Sequence, residues 1–140
     1  MAKTKERHFE DAIEHHLLTQ GGWSKGSPQD FDRKLALVVP EFIAFVEATQ
    51  TALWNDLKKH HGAQLEAGVI DALAKSLDSR GTLDVLRHGF KFQGKKIETA
   101  YFKPAHGMNP EIMAQYGRNR LAVTRQLRLV VEGDQSVDLA

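Results

Sequence analysis

RLAVTRQLRLVVE, residues 120–132, is the stretch that decides the fold. Leu121, Val123, Arg125, Leu127 and Leu129 fall on every second position, the period of a half-buried strand, and predict one long strand over residues 120–132. Glu132-Gly133-Asp134-Gln135 reads as a hairpin loop, and Ser136 to Ala140 as the start of a further strand. Upstream of residue 80 the period is helical instead. Phe9, Ile13 and Leu17, with Ala12 alongside, predict an amphipathic helix from Lys5 to Gln20 that ends at Gly21-Gly22, with Trp23 folding back on it as core. Ser27-Pro28-Gln29-Asp30 carries a helix-start pattern, and that helix is expected to stop near Val39 because Pro40 disfavours a helical residue before it.

Pro40 then opens a longer helix, with Phe42, Val46, Leu53 and Leu57 near one face and Phe45 and Trp54 widening it; His60-His61-Gly62 ends it. Leu65, Val69, Leu73 and Leu77 step by four through a helix over residues 63–77. A short helix, Thr82 to Leu86, precedes a hairpin: Phe90-Lys91-Phe92, a turn at Gln93-Gly94-Lys95, and a return over residues 96–102. Residues 103–110 read as a loop and Glu111 to Tyr116 as a short helix. Helices first and strands after predict an α+β fold with a mixed or antiparallel sheet, a single domain over residues 1–140. The last strand holds four or five residues and leaves an exposed edge, so the expectation is a domain cut short.

Composition fits this reading. The chain has 140 residues, 41% hydrophobic and 26% charged, an ordinary balance for one globular domain. It has no cysteine, which excludes a disulfide scaffold, a cysteine nucleophile and a thiolate zinc site within these residues. No apolar run approaches the roughly 18–20 residues of a membrane span, and MAKTKERHFEDAIEHH lacks the apolar core of a secretory leader. The expected address is cytoplasmic. Charge is uneven: residues 1–79 hold 9 Lys+Arg against 12 Asp+Glu, or −3, and residues 80–140 hold 10 against 6, or +4. A positive surface on the second part could meet phosphates, or be ordinary scatter.

Few side chains point to chemistry by type alone. His8, Asp11 and His15 share a helical face, but a metal needs three or four converging ligands and no partner is evident, so a solvated face is the plainer reading. There is no GxxxxGK[ST], GxGxxG or GxSxG. Phe90, Phe92, Tyr101 and Phe102 lie among lysines, which suits either base stacking or one packed strand face. Asp138 sits between Val137 and Leu139, as plain alternation would place an outward carboxylate.

Three ordered blocks are less generic: GTLDVLRHGFKF (residues 81–92), AYFKPAHGMN (100–109) and NRLAVTRQLR (119–128), the last followed by SVDLA. With EDAIEHHLL and GGW at the front, they resemble the N-terminal part of the R (restriction, HsdR) subunit of type I restriction-modification enzymes, from about Glu6 to Ala140. The resemblance implies a restriction-endonuclease-like, PD-(D/E)xK nuclease domain. In that class an Asp on one strand and an ExK on the next hold Mg²⁺, which polarises the scissile phosphate. Carried onto this chain, it implies Asp138 as metal-binding and catalytic residue. It implies a second catalytic carboxylate on the first helix, Glu6 or Glu10, with Glu10 preferred because it follows Phe9 and with a solvated helix carboxylate as the alternative. Arg120 and Arg125 become DNA-contact candidates that could share one face of their strand, or equally pair with acidic neighbours.

The ExK strand and the ATP-driven motor domains of the family lie beyond SVDLA. The expectation is therefore an N-terminal nuclease fragment, inactive alone. Its implied partners are DNA and the modification (M) and specificity (S) subunits, with no membrane. Mg²⁺ would act in the complete domain, and ATP only through motor domains that residues 1–140 do not contain. The alternative is a non-catalytic module that binds DNA or the partner subunits. A module should melt cooperatively, whereas a fragment should expose Leu127 to Val131 and aggregate.

Overall fold

The structure is a computed structural model that describes residues 2–128 and 136–139, with side chains described for residues 5–127. Along the chain run α1 (Ala2–Thr19), β1 (Ser24–Lys25), a 3₁₀ turn (Pro28–Asp30), β2 (Phe31–Asp32) and β3 (Leu37–Val38). Then come α2 (Val39–Thr49), α3 (Thr51–His61), a second 3₁₀ turn (Gly62–Gln64), α4 (Leu65–Arg80) and α5 (Thr82–His88). The remainder is β4 (Phe90–Phe92), β5 (Lys95–Ile97), α6 (Pro110–Gly117), β6 (Ala122–Val123), β7 (Arg125–Arg128) and β8 (Ser136–Leu139). The fold is α+β, with the strands in two-stranded sheets: β1 with β6 parallel, and β2 with β3, β4 with β5 and β7 with β8 antiparallel. No helix is long and apolar enough to cross a membrane among the described residues.

The chain forms two compact units, Met1–Val39 with Arg120–Ala140, and Pro40–Asn119. The inserted unit, Pro40–Asn119, is mostly helical. Its core gathers Phe45, Val46, Trp54, Leu57, Leu65, Val69, Leu73, Val85, Phe90 and Ile97, all buried. Each such side chain contributes roughly 1.5–3 kcal/mol through removal from water. The single helix expected from Pro40 to His61 is two helices, broken at Gln50 (φ −130°, ψ 49°). Thr49 and Thr51 flank the break, and their hydroxyls donate back to the carbonyls of Phe45 and Glu47, a bond that bends helices. Freed from the helix, the Gln50 amide brackets the backbone of Glu98: Nε2 donates to its carbonyl at 3.0 Å and Oε1 accepts its N–H at 2.8 Å.

The same device recurs at Asn119, whose Oδ1 accepts the Tyr101 N–H at 2.9 Å and whose Nδ2 donates to the Tyr101 carbonyl at 2.5 Å. These amides satisfy the backbone where a return strand over 96–102 was expected, so β5 ends at Ile97. The β4–β5 turn is two residues, Gln93-Gly94, both at positive φ, which matches the strand twist. Phe90 and Phe92 are buried with Lys91 exposed between them, so they are the packed face; Phe90 lies 6.1 Å from Phe42 and Phe92 5.2 Å from His61, ring to ring.

The discontinuous unit departs further from expectation. Residues 27–38 form no helix beyond the 3₁₀ turn. Asp32 Oδ1 accepts the Leu35 N–H at 3.0 Å and Ala36 takes φ +55°, closing a tight β2–β3 hairpin. A short side chain that bonds its own backbone competes with the helix. The expected 120–132 strand is likewise two short ones. β6 pairs with β1, with Ser24 opposite Ala122 and Lys25 opposite Val123, and the chain turns at buried Thr124 before β7. The hairpin loop expected over residues 132–135 and the apolar stretch after Arg128 lie outside the described residues.

Candidate functional site

Residues from α1 and β7 meet in the discontinuous unit. The inward face of α1 is shifted by one residue from the expected one. Phe9 is 67% exposed and Ala12 is exposed, while Glu10 is 6% exposed and Ile13, Glu14 and Leu17 are half-buried. Positions 10, 13, 14 and 17 form one helical stripe, so two carboxylates ride on the buried face.

Burying a carboxylate requires partners. Glu10 Oε2 accepts from Arg125 Nη2 at 2.8 Å and Nε at 3.2 Å, and Gln126 Nε2 donates to Oε1 at 3.1 Å. The same guanidinium reaches Asp11 at 2.5 Å and lies 3.6 Å from Glu14. Lys25, on β1, pairs with the other Glu14 oxygen at 3.1 Å. Three carboxylates thus share two cations. Glu14 Oε2 is buried without a hydrogen bond of its own and leans on the Arg125 charge. Hydrogen bonds to Glu10 and then Asp11 push Arg125 further above its ordinary guanidinium range, so it stays charged.

Arg125 and Gln126 are neighbours on a strand, where alternation sends consecutive side chains to opposite faces. Both nevertheless reach Glu10. The reason is local: Gln126 adopts φ +54°, a left-handed conformation that costs a non-glycine residue roughly 1–2 kcal/mol. It breaks the alternation and lets two successive side chains converge on one carboxylate.

The β7–β8 register fixes what lies across the strand. Arg125 is opposite Leu139, Leu127 opposite Val137 and Arg128 opposite Ser136, which sets Gln126 opposite Asp138. Asp138 therefore occupies a backbone position next to the residue that grips Glu10; its side chain falls outside the described residues. Arg120 is exposed, outside any strand and preceding β6, whereas Arg125 is on β7 with its side chain 23% exposed, so the two share no strand face. Their odd spacing already separates them in a regular strand.

The implied Mg²⁺ can be tested against these contacts. A divalent cation asks for oxygen ligands without a competing positive charge. Glu10 has a guanidinium at 2.8 Å and an amide on its other oxygen, so it does not fit as a direct ligand in this arrangement. Among the described residues no group of three or more acids or histidines could hold a metal, and His8 and His15 are exposed. Sequence reasoning did not single out Gln126, Glu14 or Lys25. The i, i+4 pair Glu10 and Glu14 in phase with Ile13 and Leu17 was the available signal. No protein-family model, curated protein or solved structure matches the chain significantly.

Proposed function

We propose that the chain is the N-terminal region of a type I restriction R subunit. It would contribute part of a PD-(D/E)xK nuclease domain that cleaves unmodified foreign DNA in the ATP-dependent enzyme. What supports the reading, beside the resemblance of its three blocks, is the β7–β8 register: it sets the position of Asp138 against Gln126, and Gln126 holds Glu10. On this reading Asp138 would hold Mg²⁺ in the complete domain. Glu10 positions β7 through Arg125 and Gln126 rather than touching the metal. The natural partners would be DNA and the M and S subunits in the cytoplasm.

No ExK occurs in residues 1–140, so the chain by itself holds one Asp and not the set. It is expected to bind duplex DNA without cleaving it in Mg²⁺. A gel-shift with a 30-base-pair duplex and a plasmid-nicking assay test both halves. Absence of binding at low salt overturns the assignment; Asp138-dependent nicking overturns the inactivity. A second reading, a non-catalytic DNA- or subunit-binding module, draws on Arg125 occupying the Glu10 carboxylate. It differs in requiring nothing of Asp138.

A further inference from the structure

In the inserted unit, α5 packs on α4 and buries Val85, yet Leu83 is 60% and Leu86 41% exposed. Arg87 lies four residues after Leu83, so the two share one face of the helix. Both line an open cleft of about 410 Å³ at the α4–α5 corner, together with Arg80, Gly81, Asp84 and His88. The corner has a firm frame. Gly81 takes φ +85° to turn α4 into α5, and nothing lies within 4 Å of the point where its Cβ would stand. Arg80 Nη1 donates to the Gly89 carbonyl at 2.9 Å, and the Thr99 hydroxyl donates to the Val85 carbonyl at 2.7 Å. These bonds hold α5 to α4 and to the segment after β5. Charge within the cleft is uneven. Asp84 is matched, because Arg80 Nε donates to it at 2.7 Å and His88 Nε2 stands 3.9 Å away. Arg87 is exposed, and among the described residues its guanidinium has no ion pair or hydrogen bond. The face therefore offers one uncompensated cation beside two bare leucines.

We propose that this corner docks an acidic, leucine-bearing segment of a partner protein. A carboxylate of the segment meets Arg87, and its apolar side chains cover Leu83 and Leu86. Charge complementarity selects the sign of the partner: with Asp84 already held by Arg80 and His88, the unmatched charge of the cleft is positive. An arginine recognises a carboxylate by paired, charge-assisted hydrogen bonds. The leucines select its class. Apolar side chains left bare on a rigid helix mark a protein contact, whereas a duplex offers phosphates to a cation and little to a leucine. Asp84 on the cleft wall also disfavours a polyanion laid across it. The site shares no residue with the proposed nuclease machinery, so the two readings stand or fall separately.

The test is fluorescence anisotropy of the 140-residue chain with a labelled peptide, Glu-Leu-Leu-Asp-Glu-Leu-Leu-Asp. Two analogues accompany it, one with lysine at every acidic position and one with serine at every leucine. The acidic leucine peptide should bind, and both analogues should bind more weakly. Arg87→Ala should weaken binding roughly fivefold, the size of one exposed charge contact, and Leu83→Ser roughly tenfold, from lost apolar burial. Arg87→Glu should lose the acidic peptide and gain the lysine analogue, an exchange of preference that misfolding does not produce. Lys58→Ala removes an equal exposed charge from α3 and should change nothing. Thermal melts of each variant separate lost binding from lost folding. No binding of the acidic peptide, or binding unchanged in both Arg87→Ala and Leu83→Ser, overturns the proposal. A labelled duplex that binds in an Arg87-dependent way while the acidic peptide stays unbound overturns it as well and assigns the corner to nucleic acid.

Discussion

Replacing Glu10 by Ala removes the carboxylate on which Arg125 and Gln126 converge. Arg125 donates to it twice, at 2.8 and 3.2 Å, and Gln126 donates at 3.1 Å. A hydrogen bond to a charged, buried group contributes about 1.5–3 kcal/mol. Arg125 is not orphaned by the change, because Asp11 and Glu14 remain beside it. The net loss is therefore put at about 2 kcal/mol, well above the roughly 0–1 kcal/mol of a surface salt bridge. With a urea dependence of about 1–3 kcal/mol per molar, the midpoint should fall by roughly 1 M. The two tryptophans, Trp23 and Trp54, lie one in each unit, so Trp23 fluorescence in a Trp54→Phe background reports the unit that holds Glu10. Glu10→Gln keeps the shape and one acceptor and should lose about half as much. A midpoint shift under about 0.3 M for Glu10→Ala would mean that water screens the pair, and the helix-to-strand anchor would have to be abandoned.

Arg125 sets the pH behaviour of the same anchor. Its value is raised on folding, so its contribution is complete below the ordinary guanidinium range and is lost only as pH rises through the raised value. Arg125→Lys substitutes a group that discharges near pH ~10.4 and cannot span Glu10 and Asp11 together. The urea-midpoint gap between the two proteins should widen above about pH 10; parallel curves would contradict this. In the inserted unit, Gly89→Ala should be the costliest glycine change. Gly89 sits at φ +68° and an added Cβ would meet the Ile97 carbonyl oxygen at 2.3 Å, whereas at Gly94, φ +76°, nothing lies within 4 Å. Gly94→Ala should cost only the left-handed strain, roughly 1–2 kcal/mol, and equal melting temperatures for the two variants would refute the packing argument.

The helical part was legible because its period is driven by burial. Leu65, Val69 and Leu73 recur at steps of four and all three are buried. The hairpin at residues 90–97 was legible from Phe90-Lys91-Phe92 and a turn glycine. What escaped were places where a polar side chain replaces backbone. Gln50 and Asn119 bracket Glu98 and Tyr101 from distant sequence, and nothing local announces an amide standing in for a strand. β1 is a two-residue exposed Ser-Lys segment with no pattern to read. At the site, the inward stripe of α1 was read correctly at Ile13 and Leu17 but extended to Phe9 and Ala12 instead of Glu10 and Glu14. A buried carboxylate is counter to hydrophobic periodicity and is paid for by an arginine 115 residues away. The left-handed Gln126 left no trace either, since glutamine carries no preference for that conformation.

On the proposed function Asp138, and not Glu10, would be the carboxylate that holds a divalent cation beside β7. Mn²⁺ is a paramagnetic substitute for Mg²⁺, and titrating it into the labelled chain while recording backbone amide resonances reads even weak binding residue by residue. Selective broadening is expected, centred on residues 126 and 137–139, lost in Asp138→Ala and kept in Glu10→Gln. Broadening centred on α1 and lost in Glu10→Gln, or no localised broadening at all, would contradict it.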